Sequence, residues 1–166
     1  MVALREWRRD DCQRLAELAN NRNVSINLRD VFPYPYTLED AHAWIAHCAA
    51  NRDTPTQFAI EADGQLVGGI GFEAESGVYR ISADIGYWIA EPNWGRGIAT
   101  TALIAASQRA FSEFPFERLQ ARVFAWNPAS MRVLEKAGYQ FEGRMRRSVI
   151  KNGQVIDSVI YSLLRD

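Results

Sequence analysis

The hydrophobic positions change their spacing along the chain, and each change marks a change of predicted secondary structure. After a short strand at 2–7, apolar residues recur at helical spacing from Leu15 to Ala19 and again after Thr37, which forms a capping-box pattern with Asp40,. Over residues 56–90 the period becomes two, which predicts three consecutive antiparallel strands,. The dipeptide Asp63-Gly64 between the first two of these strands is a strong hairpin signal, and Ser76-Gly77 separates the second strand from the third,. The glycines at 68, 69 and 71 indicate a bulge or a close backbone approach,.

The second half of the chain alternates between helices and strands. A helix is predicted from about Gly97 to Phe114, followed by a strand at 118–126 and a helix at 127–139,. Two further strands flank Asn152-Gly153 and predict a final hairpin,. The order β-α-α-β-β-β-α-β-α-β-β indicates a mixed α/β fold, and we expect one domain across 1–166.

Composition narrows the class of protein. The 166 residues are 48% hydrophobic with a net charge of −1, so the chain can bury a core unaided and carries no global basic field for nucleic acid,. No apolar run reaches membrane-spanning length, and charged residues interrupt the N-terminal stretch, so neither a membrane segment nor a signal peptide is expected,. Cys12 and Cys48 lie on apolar segments and lack metal-binding spacing with His42 and His47,. We expect reduced thiols, no metal and a cytoplasmic location.

The stretch 94–103, "WGRGIATTAL", places a glycine-rich turn at the start of a helix. Such a turn can hold a phosphate with backbone N–H groups. No Gly-Lys-Ser/Thr occurs in the chain, which excludes a P-loop,. The dinucleotide fingerprint is also excluded, because Thr100 stands where its third Gly or Ala belongs and the preceding strand is antiparallel,.

Three stretches carry a resemblance to a known family: "ADIGYWIAEPNWGRGIATTAL" (83–103), "NPASMRVLEKAGYQFEG" (127–143) and "RDVFPYPYTLEDA" (29–41). Together they resemble the GCN5-related N-acetyltransferases (GNAT). In the family's pyrophosphate signature, Trp94, Gly97 and Ala99 occupy the first, fourth and sixth positions. The Trp departs from the general signature and is similar to the variant of the ribosomal-protein N-terminal alanine/serine acetyltransferase branch.

The resemblance implies a GNAT acyl-CoA N-acyltransferase fold: a mostly antiparallel, twisted sheet of about seven strands with helices on both faces. It also implies acetyl-CoA as cosubstrate. The residues implied to contact it are Gly95, Arg96, Gly97, Ile98, Ala99 and Thr100 at the pyrophosphate, Trp88, Ile89 and Glu91 at the pantetheine arm, and Asn127 and Lys136. Helix capping explains Asn127 equally well, and an exposed helix lysine is the more common role for a residue such as Lys136.

The resemblance further implies direct transfer of the acetyl group to a primary amine. Asp84, on the strand before the loop, is the candidate base, although a structural carboxylate is an equal alternative and Glu73 and Glu75 are rivals. Ser130 is the candidate hydrogen-bond donor to the leaving thiolate, beside its possible role in the first turn of a helix. The resemblance places an acid on the late strand in some members of the branch, whereas this chain has residues 144–149, "RMRRSV", there.

The acceptor side is the least defined. Arg29, Phe32 and Tyr34 are expected to border an acceptor pocket, or to pack a rigid loop on the sheet. The acceptor is a protein N-terminus or a small amine such as an amino sugar, polyamine or drug, and a non-catalytic acyl-CoA-binding domain is a further alternative. Arg144, Arg146, Arg147 and Lys151 are expected to form a solvated face rather than a nucleic-acid site. We expect no membrane partner, and a monomer or homodimer.

Overall fold

A single seven-stranded sheet organises the molecule in the computed structural model, which describes residues 1–166. The strands are β1 (Val2–Arg5), β2 (Gln57–Ala62), β3 (Gln65–Ala74), β4 (Ser82–Ile89), β5 (Arg118–Phe124), β6 (Gln140–Lys151) and β7 (Gln154–Leu164). Their order across the sheet is β1-β2-β3-β4-β5-β7-β6. Every neighbouring pair is antiparallel except β4 and β5, which run parallel.

Five helices cover the two faces of this sheet: α1 (Cys12–Ala19), α2 (Arg22–Ser25), α3 (Leu38–Ala50), α4 (Ile98–Glu113) and α5 (Pro128–Lys136). The larger core lies between the sheet and the pair α4 and α5, with Leu103 and Leu134 fully buried in it. The smaller core lies under α1 and α3, where Leu15, Ile45 and Trp7 are buried together. The predicted mixed α/β fold with helices on both faces is therefore confirmed.

Local signals fixed several boundaries. Asp63 and Gly64 have φ of 51° and 79°, and Asn152 and Gly153 have φ of 49° and 74°, as two-residue hairpin turns require,. Thr37 and Asp40 form the predicted capping box at the start of α3,. The connection from β3 to β4 is longer than predicted, because a 3₁₀ turn over Gly77–Tyr79 replaces a tight turn. No helix is both long enough and apolar enough to cross a membrane.

The glycines of β3 permit a close approach between strands. A Cβ at Gly68 would lie 2.2 Å from the carbonyl oxygen of Trp88, and the register of β2 shifts opposite this point, between Ile60 and Glu61. This confirms the predicted bulge or close approach. The close approach packs the last residues of β4 tightly against β3. β4 is therefore firmly paired on this side, whereas on its other side it separates from β5.

Candidate active site

The sheet opens between β4 and β5. The two strands pair only from Ser82–Asp84 to Arg118–Gln120, and beyond these three pairs neither strand has a partner on the facing side. Residues 85–89 of β4 therefore present an unpaired strand edge to the opening. An extended chain can add to such an edge through backbone hydrogen bonds, which is the role predicted for Trp88 and Ile89.

The glycine-rich loop lies directly after this edge. Gly95 and Gly97 have φ of 73° and 74°, a left-handed conformation that favours glycine, and Gly97 is the N-cap of α4,. The backbone N–H groups of residues 95–100 donate to no acceptor in the protein. A run of free N–H groups at the N-terminus of a 16-residue helix is an anion-binding arrangement, because the helix dipole adds positive potential there,.

Trp94, the unusual first residue of the loop, anchors it to β4. Its indole Nε1 donates a hydrogen bond of 2.6 Å to the carbonyl oxygen of Ile89. The Ile89 carbonyl is thus already used within the protein, and the Trp holds the strand end and the loop at a fixed spacing. In the sequence, Trp94 indicated a particular branch of the resembled family. Its hydrogen bond to Ile89 follows from no sequence pattern and is seen only in the structure.

Three other residues predicted to contact a cofactor have different surroundings. The Glu91 carboxylate accepts hydrogen bonds from Asn21 and Asn23, which lower its pKa and tie the loop to α2. Arg96 is exposed and lies 3.4 Å from Asp63. Lys136 is exposed at the end of α5, so its ammonium is free to meet a ligand.

Asp84 lies at the closed end of the opening, in the last residue pair before the strands separate. Its two carboxylate oxygens accept hydrogen bonds of 2.9 Å from Gln120 Nε2 and Arg122 Nη1. Arg122 also lies 3.8 Å from Glu75. Asp84 is therefore a carboxylate held by an adjacent guanidinium and an amide, a geometry compatible with both roles predicted for it.

Glu73, the other rival base, is the cross-strand neighbour of Asp84 and lies 3.9 Å from Arg29. Because paired residues point to the same face of a sheet, Glu73, Asp84 and Gln120 form one polar row on the face covered by α1 and α3,. On this face Gly86 is exposed in the middle of β4, and a Cβ there would meet nothing within 4 Å. The surface beside the opening is thus accessible, and Gly86 at its base has no side chain to fill it.

Ser130 faces the opening from the other face. Its Oγ lies 2.8 Å from the hydroxyl of Tyr87, on the unpaired part of β4. Asn127 caps α5 by accepting the N–H of Ser130 at 3.2 Å, so the structure shows the capping role of Asn127 directly. Sequence analysis missed Tyr87, although its position one residue before Trp88 on the alternating strand placed its side chain on the face of α5.

The loop predicted to border an acceptor pocket is tied down at several points. The Phe32 ring packs against Trp88 with ring centroids 5.5 Å apart, whereas Tyr34 is half exposed. Arg29 is exposed and reaches Glu73 across the open face. Next to it, Asp30 accepts a hydrogen bond of 2.8 Å from Lys151 Nζ at the end of β6.

The expectation that Lys151 lies on a solvated basic face is wrong. Its side chain is only 5% exposed, so it does not belong to a solvated basic face with Arg144, Arg146 and Arg147. Arg144 is itself paired with Asp157 at 2.6 Å. The buried position comes from the long β6–β7 hairpin, which folds the lysine against the acceptor loop, a contact between residues 121 positions apart that no local pattern indicates.

Neither cysteine offers a nucleophile. Burial raises the pKa of Cys12, and burial raises the pKa of Cys48 to about 12. Both thiols therefore stay protonated near neutrality, whereas nucleophilic attack requires the thiolate. This agrees with a direct transfer to the acceptor rather than transfer through a cysteine.

A sheet that opens between two parallel strands, with an anion-binding helix N-terminus at the opening, defines the class of acyl-CoA N-acyltransferase folds. The chain belongs to the family described as Acetyltransferase (GNAT) domain, whose profile matches residues 2–140. The family predicted from the three sequence stretches is thereby confirmed.

Relatives named for different substrates resemble the chain. It is 38% identical over 103 residues to the putative ribosomal N-acetyltransferase YdaF of Bacillus subtilis, a match that covers 62% of the chain and 56% of YdaF. It is 26% identical over 162 residues to spermidine N(1)-acetyltransferase of Escherichia coli K12, covering 95% of the chain and 83% of that protein. With the uncharacterized N-acetyltransferase YoaA of B. subtilis, 37% identity extends over 101 residues, 61% of the chain and 56% of YoaA.

Among solved structures, Mycobacterium smegmatis RimJ in complex with CoA-disulfide superposes with a TM-score of 0.84 at 26% identity. The match covers 98% of this chain and 81% of RimJ. The likeness therefore extends beyond the anion-binding loop to all seven strands of the sheet, and it supports the branch indicated by Trp94.

Proposed function

We propose that the protein is an acetyl-CoA-dependent N-acetyltransferase that moves an acetyl group directly to a protein N-terminal α-amine. The observation that carries the proposal is the run of free N–H groups at residues 95–100, beside the opening between β4 and β5. A pyrophosphate is the ligand that such a loop favours, and an unpaired strand edge next to it suits a pantetheine arm. The CoA complex of RimJ supports the same cosubstrate.

The transfer needs a neutral amine, because an ammonium has no lone pair to attack a thioester carbonyl. Asp84 is the proposed proton acceptor: it is partly exposed, and it lies where the strands separate. Arg122 donates a hydrogen bond that holds the carboxylate in place. The amine nitrogen forms the new C–N bond, the C–S bond then breaks, and the thiolate leaves beside Ser130.

The acceptor surface favours a cation. Three carboxylates, Glu73, Glu75 and Asp84, face two guanidinium groups, Arg29 and Arg122, along this side of the opening. The remaining negative charge suits the ammonium of a free N-terminus before it loses its proton. The likeness to YdaF and RimJ supports the N-terminal amine over other acceptors.

A polyamine is the second candidate, since the same excess of carboxylates would also suit spermidine. The relationship to the E. coli spermidine acetyltransferase, which extends over 95% of the chain, supports this alternative. The open glycine floor at Gly86 gives a thin, extended amine room to lie along β4.

The test combines acetyl-CoA binding with turnover. Calorimetry with acetyl-CoA measures binding, and release of free CoA is followed with peptides of varied N-terminal residue, with spermidine and with amino sugars. We expect the highest kcat/KM for peptides that begin with Ala or Ser, and none for the same peptides with a blocked N-terminus. Faster turnover of spermidine would replace the first acceptor with the second. Tight binding without turnover on any amine would leave only a CoA-binding domain.

A further inference from the structure

Tyr87 and Ser130 form a pair of hydroxyl groups that bridges the opening from β4 to α5. Their oxygens are 2.8 Å apart, and the Tyr87 hydroxyl lies farther, at 3.3 Å, from the Ser130 carbonyl. The three paired residues of β4 and β5 end at Asp84, so Tyr87 stands within the separated part of the strand. The pair is therefore at the opening itself and not in the closed part of the sheet.

The direction of this hydrogen bond determines what Ser130 can do. We assign the phenol proton to the shorter contact, so that Tyr87 donates to Ser130 Oγ. Ser130 then keeps its own proton free to donate to a third atom. With the opposite assignment Ser130 would spend its only proton on Tyr87 and could donate to nothing else.

The surroundings of Tyr87 keep it a donor. Its side chain packs against the larger core, and burial raises its pKa to about 12. Its hydrogen-bond partner Ser130 carries no charge. Tyr87 therefore remains protonated over the whole range in which an amine acetyltransferase would work.

We propose that Tyr87 is a positioning residue that holds Ser130 Oγ and directs its hydroxyl proton to the leaving sulfur. This inference rests on the proposed function. As the C–S bond breaks and its electron pair moves to sulfur, Ser130 donates a hydrogen bond to the thiolate. No proton is transferred in this contact: the amine loses its proton through Asp84 to solvent, and the free thiolate takes one from solvent.

Tyr139 provides a matched control. Its hydroxyl likewise lies 2.8 Å from a serine oxygen, that of Ser107, but Tyr139 is buried, and this pair joins α4 to the start of β6 inside the core. Tyr139→Phe removes an equivalent hydroxyl away from the opening. A general loss of packing affects both variants, whereas a specific effect on sulfur affects only Tyr87→Phe.

The test titrates the thiol of CoA bound to the enzyme. The ultraviolet absorbance of the thiolate is followed against pH in the CoA complex, with the desulfo-CoA complex subtracted to remove protein tyrosines. A hydrogen bond to the thiolate lowers the thiol pKa, so we expect a value about one unit higher in Tyr87→Phe and Ser130→Ala than in the wild type. Tyr139→Phe should keep the wild-type value. Turnover should fall about tenfold in Tyr87→Phe, and the double variant should be no slower than Ser130→Ala alone.

Each result bears on a distinct claim. If the wild type does not bind CoA, the proposed function fails and this inference fails with it. If all variants bind CoA and their thiol pKa values agree, the inference alone is overturned. Ser130→Ala leaves Tyr87 in its packed position, so an unchanged thiol pKa in that variant overturns the inference even if Tyr87→Phe does not fold.

Discussion

The two sides of the opening are constructed from different parts of the chain. The loop at residues 94–100 offers backbone N–H groups whose directions follow from two glycines and a helix N-terminus. The proposed acceptor side is formed by side chains, where ion pairs join β3, β4, β5 and the loop after α2. A backbone site is encoded in a few adjacent residues, whereas a side-chain site depends on which distant strands become neighbours.

This difference predicts that the largest effect of a single substitution falls on the loop. Gly97→Glu places a carboxylate beside the proposed pyrophosphate and a side chain on a residue with φ of 74°. Like charges brought together in a binding site cost several kcal/mol, so we expect CoA affinity to fall by a factor of about 100 or more in calorimetry.

Gly77→Glu is the control for Gly97→Glu. Gly77 has a φ of 60°, and a Cβ there also meets nothing within 4 Å, so the two substitutions share the backbone strain and the added charge. CoA affinity should be unchanged in this variant. Equal loss of affinity in the two variants would show that strain, and not the anion site, is responsible, and the loop assignment would be wrong.

A smaller effect is expected on the acceptor side from Asp84→Asn. The substitution keeps the shape and the contact with Gln120 but removes the charge that accepts a proton. We expect kcat to fall about 100-fold, the size typical of a lost general base, with CoA affinity within about twofold of the wild type. The acidic limb of the pH–rate profile should also change.

Glu75→Gln separates the role of Asp84 from that of its surroundings. It removes the second carboxylate near Arg122 but leaves Asp84 bound to Arg122 at 2.9 Å. We expect a severalfold decrease in kcat at most. A pH–rate profile that is the same in the wild type and Asp84→Asn would leave Asp84 as a structural carboxylate and would transfer the role of base to Glu73 or Glu75.

The same difference explains how much could be predicted from the sequence. The two hairpins, the capping box of α3 and the loop before α4 were all predicted, because each depends on residues within four positions of one another. The pairing of Asp84 with Arg122 and the bond from Tyr87 to Ser130 were missed. Both connect residues about 40 positions apart, and they follow from the strand order and from the packing of α5 on the sheet.

Lys151 offers the finest test of the acceptor side, because it reaches the loop from outside the opening. Its buried ammonium binds Asp30, whose carboxylate is 84% exposed. Lys151→Met fills the same space without a charge and leaves Asp30 free in water, where an unpaired carboxylate costs little. Replacing a buried ion by an apolar side chain of similar size is often neutral for stability, so we expect the free energy of unfolding to stay within about 1 kcal/mol.

Asp30→Ala is the reciprocal variant and should behave differently. It removes the only hydrogen-bond partner of the Lys151 ammonium, and a buried cation left without a partner costs about 3–5 kcal/mol in denaturant unfolding,. Both variants release the acceptor loop, so acceptor KM should rise severalfold in each while CoA affinity stays constant. If acceptor KM is unchanged in both, the loop of Arg29, Phe32 and Tyr34 packs on the sheet without contacting the acceptor, and specificity must come from the carboxylates of β3 and β4.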